Sequence, residues 1–172
     1  MKTTKKLLQY FLCYGFLGWI LEGVFNLVTA GQFRKANFLH LPMKPMYGFG
    51  ALAILIAHRY WPRKIFLTSC FLPCLVEYCS GYFLEHCFAL RYWDYRQEFV
   101  QIKGYVCLKF ACCWLILTQI VIHLVQPVLA GLLKFLGKWK WFWREWTKVF
   151  ILDVAVTCYQ RKYGDKRVVK YG

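Results

Sequence analysis

Glu77, Gly81 and Glu85 fall at i, i+4 and i+8 within the run Ile65 to Leu90, which holds no Lys, Arg or Asp. On a helix this spacing forms one slowly drifting stripe. Four of the chain's eight acidic residues, Glu22, Glu77, Glu85 and Asp153, lie in apolar segments. An ionised carboxylate at bilayer depth costs about 2.5–3.5 kcal/mol on insertion scales, so such groups face protein or a wet cavity. Two chemistries fit. Paired carboxylates in low dielectric can hold a proton, a cation or a polar substrate, or they can pair with Arg91 or Lys109. Alternatively they clamp neighbouring helices together. Gly81 between the two acids lets a helix or a ligand come close.

Other residues share this placement. Glu22 and Asn26 are again i, i+4, with Trp19 one turn earlier. "RYWDY", residues 91–95, sets Arg91 and Asp94 within pairing distance among interfacial aromatics. "LPMKPMYGFGA", residues 41–51, puts Pro42 and Pro45 before Gly48 and Gly50, with Tyr47 between them. The prolines delay a helix start and the glycines free the backbone, which suits a partly re-entrant segment; close packing of the following helix is the other reading. The expected site is an outward-facing polar pocket made by Glu22, Asn26, Tyr47, Glu77, Glu85, Arg91 and Asp94.

The elements that must position these residues are membrane helices. Apolar residues make up 59% of the 172 and aromatics 20%, well above the roughly 45–50% apolar share of soluble domains. Spanning needs about 20 mostly apolar residues. The sequence predicts an all-α integral membrane bundle in a single domain, with four full spans at about 7–30, 43–59, 65–90 and 105–127. A short fifth hydrophobic segment at 147–159 and a basic tail at 160–172 follow. Trp139, Trp141, Trp143 and Trp146 alternate with Lys138, Lys140, Arg144 and Lys148, the pattern of an amphipathic interfacial helix. "MKTTKK" leads into a stretch too long for a signal peptide, so it reads as an uncleaved first span. If four spans cross and the tail stays on the N-terminal side, that side carries 16 basic residues and the other 6. This bias predicts a cytoplasmic N-terminus in a plasma membrane. A crossing fifth segment would make the count 11 against 11.

The net charge of +15 flanks apolar runs, which points to anionic lipid rather than nucleic acid. The nine cysteines form no C-x-x-C pair, so they read as packing residues and not as a metal site. No P-loop, G-x-S-x-G or H-E-x-x-H motif occurs, so the chain carries no ATPase or hydrolase signature, and no cofactor is expected.

"FLGWILE" (16–22), "FLHLPMKPMYGFGA" (38–51), "EYCSGYFLE" (77–85), "RYWDY" (91–95) and "KGYVCLKF" (103–110) occur in this order. Together they resemble the putative ABC-transporter type IV permease family of small multi-pass membrane proteins from Firmicutes. "FILDVAVT" (150–157) is similar to that family's last hydrophobic segment. The resemblance covers about residues 10–157. It implies a transport component that works with a separate ATP-binding subunit or as a homo-oligomer. A membrane enzyme or lipid-handling protein at the outer leaflet is the alternative, with Glu22, Glu77 or Asp94 as acid or base. A structural partner subunit is a third reading. The chain departs from the family pattern at Lys35, Asn37, Leu41, Arg96 and Gln101.

Overall fold

A computed structural model describes residues 2–33 and 37–163. Arg34 and Lys35, both in the charge count, and residues 164–172 of the basic tail lie outside the described residues. Helix α1 runs Lys2–Ala30, α2 Pro45–Tyr60 and α3 Ile65–Phe88. A short hairpin of β1 (Gln101–Ile102) and β2 (Val106–Cys107) follows. Then come α4 (Leu108–Ile120), a π turn (Val121–Val125), α5 (Gln126–Leu136) and α6 (Lys140–Tyr163). Three stretches, Thr4–Ala30, Phe66–Phe88 and Leu108–Leu136, are long and apolar enough to cross a membrane.

The second predicted span, 43–59, is helix α2, which is not among the three stretches long and apolar enough to cross. Gly31 takes a left-handed φ of 66° just past α1, and the chain folds back along the helix it has left. The Phe33 ring packs edge-on to Trp19 at 5.3 Å. Leu39 and Met43 are buried with Phe11 and Leu12, and the Lys44 N–H donates to the Gly15 carbonyl at 2.9 Å. Helix α2 therefore starts at Pro45, halfway along α1, and has only 16 residues. Residues 37–44 are non-helical, as the prolines suggested. Such backbone would need a protein cover at membrane depth. Trp143, Trp146, Phe150 and Val154 of α6 supply it.

The predicted interfacial helix and the short fifth segment are one continuous helix, α6, of 24 residues. Its Trp143 indole N–H donates to the Leu136 carbonyl at 3.0 Å, closing the end of α5. Further along, Asp153 accepts from the Leu41 N–H at 2.9 Å and the His40 N–H at 3.2 Å. Its carboxylate also lies 2.8 Å from His40 Nδ1 and accepts from Thr157 Oγ1 at 3.2 Å. Asp153 is thus the clamp between α6 and the 37–44 segment. The fourth span begins at Leu108, later than expected, because Tyr105 to Cys107 belong to the hairpin turn and strand, and it extends to Leu136.

Helix α3 contains Pro73, which lacks an N–H and so leaves the Ser69 carbonyl without its helical donor. Thr118 of α4, itself fully buried, donates its hydroxyl to that carbonyl at 3.4 Å. Gln119 bonds the Ser69 hydroxyl at 3.3 Å. Thr118→Val should therefore destabilise the protein by roughly 1 kcal/mol, the scale of an interhelical bond in a membrane. In a Pro73→Ala background, where the helix supplies its own donor, the same substitution should cost little. Equal costs in both backgrounds, measured by denaturation in mixed micelles, would mean that Thr118 acts by packing alone.

Candidate functional site

The structure brings the predicted residues together in two clusters rather than one. Glu77 is the centre of the inner one. It is 3% exposed, eleven residues before the end of α3, or roughly 16 Å from it at helical rise. Its two carboxylate oxygens accept from the Tyr95 hydroxyl at 3.0 Å and the Trp114 indole N–H at 2.9 Å. Sequence spacing does not disclose either donor. Tyr95 comes from the 89–107 loop, which folds down over the outer half of α3, and its ring stacks on Phe110 at 4.8 Å. Burial, then the Glu77 carboxylate beside it, push the Tyr95 phenol well above its ordinary value, so it remains the donor.

Trp114 lies 5.4 Å from the Tyr47 ring. Tyr47 fits against α1 only because Gly18 has no side chain: a Cβ there would collide with the ring. The carboxylates of Glu22 and Glu77 both lie within electrostatic reach of the Tyr47 phenol. Glu22 is paired with the Lys44 ammonium, three residues before Tyr47 on the 37–44 segment. The inner cluster is thus one cation and two carboxylates around an aromatic pair. Asn26 is half-buried and enters neither cluster's hydrogen bonds among the described residues.

The outer cluster caps α3. Arg91 Nε donates to Glu85 at 2.9 Å and Arg91 Nη1 to Asp94 at 3.1 Å. The guanidinium lies over the Tyr105 ring, 4.9 Å from its centroid. Arg96 forks onto Asp94 with bonds of 2.8 and 2.5 Å. The Arg96 hydrogen bond holds the Asp94 carboxyl down to about 2. Gly104 turns beside this pair with a φ of 73°, and a Cβ there would fall 2.7 Å from Asp94 and 2.8 Å from Arg91. The approach expected at Gly81 is made by this cap and not by a helix: Tyr105 and Trp93 pack on it, and the Trp93 N–H donates to the Tyr105 carbonyl at 2.8 Å. Lys109, expected near the intramembrane acids, instead pairs with Glu98 at 3.1 Å.

A cavity of about 350 Å³ lies among α1, α2, α3 and α4. Its lining is apolar, and of the predicted site residues only Tyr47 reaches it. Trp114 also lines it, so the indole that holds Glu77 separates the carboxylate from the cavity. Chemically, the inner cluster offers a buried carboxylate whose two acceptor atoms are both occupied. One of its donors, Tyr95, sits on a loop that can move without unfolding a helix. The outer cluster is an ion-paired cap.

The missed contributors were Tyr95, Trp114, His40 and Thr157. All but Trp114 lie inside the stretches that carry the family resemblance, which was the one signal available for them. No curated protein matches the chain, and no solved structure does. A family model described as "Putative ABC-transporter type IV" matches residues 9–158, a range that includes both clusters, the 37–44 segment and most of α6. The chain, with three helices able to cross a membrane, belongs to that ABC-transporter type IV family.

Proposed function

We propose that the chain is the membrane component of an ABC-type transporter and that Glu77 is the polar centre of its substrate path. One observation carries this reading: a carboxylate deep in a helix long and apolar enough to cross a membrane is held by a donor from the 89–107 cap loop, Tyr95, instead of by a cation. A helix clamp is served more cheaply by Ser, Asn or Gln, because interhelical contacts recover only about 0.6–2 kcal/mol. In the proposed cycle the cap 89–107 lifts, Tyr95 leaves, and Glu77 with Glu22, Lys44 and Tyr47 faces an outward polar pocket. Glu85, Arg91 and Asp94 hold the cap closed. Asn26 joins the pocket when α1 shifts. In this reading α2 with its re-entrant lead-in serves as the fourth crossing.

The family supports a partner that hydrolyses ATP, since this chain has no P-loop. Affinity purification from native membranes should yield a stoichiometric subunit with a P-loop, and the pair in liposomes should hydrolyse ATP. A protein that purifies alone, and whose liposomes import nothing in a screen of small polar solutes, would overturn the reading.

The proposed topology places the N-terminus inside and the cap outside, with contacts to anionic lipid on the inner face. In a cysteine-free background, a cysteine at the exposed position Gln97 should react with an impermeant maleimide added outside. One at the exposed position Trp61 should not. The reverse pattern would invert the orientation.

A further inference from the structure

The cavity described above lies along the stretch of α1 between two contacts that join it to the α4–α5 helices. At its inner end the Tyr14 hydroxyl donates to Gln126 at 2.7 Å, joining α1 to α5. At the outer end the Phe25 and Phe110 rings meet edge-on at 6.3 Å, joining α1 to α4. Between these two closures α1 advances eleven residues, or roughly 16 Å. Leu17, Leu21 and Val24 line this stretch and remain exposed, as does Ile120 on the facing wall. The opening is therefore sideways, between α1 and the π turn that ends α4, toward the surface that three membrane-crossing helices present to lipid.

Water has no purchase there. A buried water needs two to four polar partners. Of the polar groups around the lining, the Tyr14 hydroxyl is engaged by Gln126, the Thr118 hydroxyl by Ser69 and the Trp114 N–H by Glu77. Only the Tyr47 hydroxyl has its donor uncommitted among these groups, and the Tyr14 and Thr118 hydroxyls keep acceptor positions alone. The space is also kept open by the sequence. Gly50 sits in the interior of α2, is buried, and lines the cavity, yet a Cβ built on it meets no heavy atom within 4 Å. Glycine is unfavourable in a helix interior relative to alanine. Here it leaves open space where the Cβ of a larger residue would meet no neighbour.

We infer that this cleft is a binding site for one hydrocarbon chain of a bilayer phospholipid, which enters sideways between α1 and α4 and lies along α1 between the Tyr14–Gln126 and Phe25–Phe110 closures. The volume, at the lower end of the roughly 300–1,000 Å³ of ligand pockets, suits a single chain and not a whole lipid. The inference does not depend on the transport reading. It couples to that site through Trp114, which lines the cleft on one side and holds Glu77 on the other.

The test uses the full chain in phosphatidylcholine vesicles that contain a phosphatidylcholine with a mid-chain diazirine, irradiated and mapped by peptide mass spectrometry. Phe66 and Phe71 are exposed on α3 and report ordinary bilayer contact. Ile54 is 5% exposed and lines the cleft. Adducts should appear on Ile54 as well as on Phe66 and Phe71. In Gly50→Leu the Ile54 adduct should fall to background while the α3 adducts persist. Gly50→Val, with a smaller side chain, should give a partial loss and serves if the leucine variant does not fold. Labelling confined to Phe66 and Phe71, or Ile54 labelling unchanged in a folded Gly50→Leu or Gly50→Val, would overturn the inference.

Discussion

Lys44→Met should destabilise the protein by about 1.5–3 kcal/mol, the worth of a hydrogen bond between charged groups that are partly buried. The reason is local. Lys44 is held at the middle of α1 by its backbone bond to Gly15. Its side chain is 15% exposed and pairs with Glu22, and Glu77 acts on the same Tyr47 phenol as Glu22. Without the ammonium, two carboxylates share this region with no cation among the contacts described for the inner cluster. Removing the second charge as well, in Lys44→Met with Glu22→Gln, should recover most of the loss, because a neutral amide does not need the ammonium. Unfolding in mixed micelles measures both. Equal destabilisation of the single and double variants would show that the pair contributes nothing beyond the packing of the lysine stem.

Glu77 should separate stability from charge. Glu77→Ala leaves the Tyr95 hydroxyl and the Trp114 N–H without an acceptor, and each unpaired buried donor costs about 1–3 kcal/mol. Glu77→Gln can keep both contacts. Its oxygen accepts from Trp114, which can only donate, and its amide donates to Tyr95, whose hydroxyl can turn to accept. The glutamine variant should therefore melt near the parent, and the alanine variant well below it. A glutamine variant as unstable as the alanine one would place the worth of the residue in its charge, as an ion-binding or clamp group.

Hydropathy made α1, α3 and the α4–α5 span legible, because an unbroken apolar run of that length has one common solution. The late start of α2 was legible in Pro42 and Pro45, though the fold-back along α1 was not; it depends on Leu39 and Met43 finding Phe11 and Leu12. Helix α6 looked like two elements because its first half is Trp- and Lys-rich and its second half apolar. The better signal was an absence: no Gly or Pro interrupts residues 138–163, so nothing ends the helix where the composition changes. At the site, charge and spacing placed Glu85 beside Arg91, and the structure pairs them, whereas Glu77 on the same stripe belongs to a separate cluster deeper in α3. Tyr95 and Trp114 were not legible as partners of Glu77, because a contact from a folded-back loop and from the next helix leaves no spacing in the chain. The same limit merged two clusters into one pocket: the i+8 stripe runs continuously along α3, but the cap loop divides it, with Tyr105 packed over Gly81.

The central claim is that the intramembrane carboxylate at Glu77 serves function and is not only a clamp. It is tested most directly by Glu77→Gln, reconstituted in liposomes with the ATP-hydrolysing subunit that the proposed function calls for, with substrate-stimulated ATP hydrolysis and melting temperature measured on the same preparation. The account predicts lost stimulation at an unchanged melting temperature. Full stimulation in the glutamine variant, beside an alanine variant that fails to fold, would contradict it and leave Glu77 as a helix clamp.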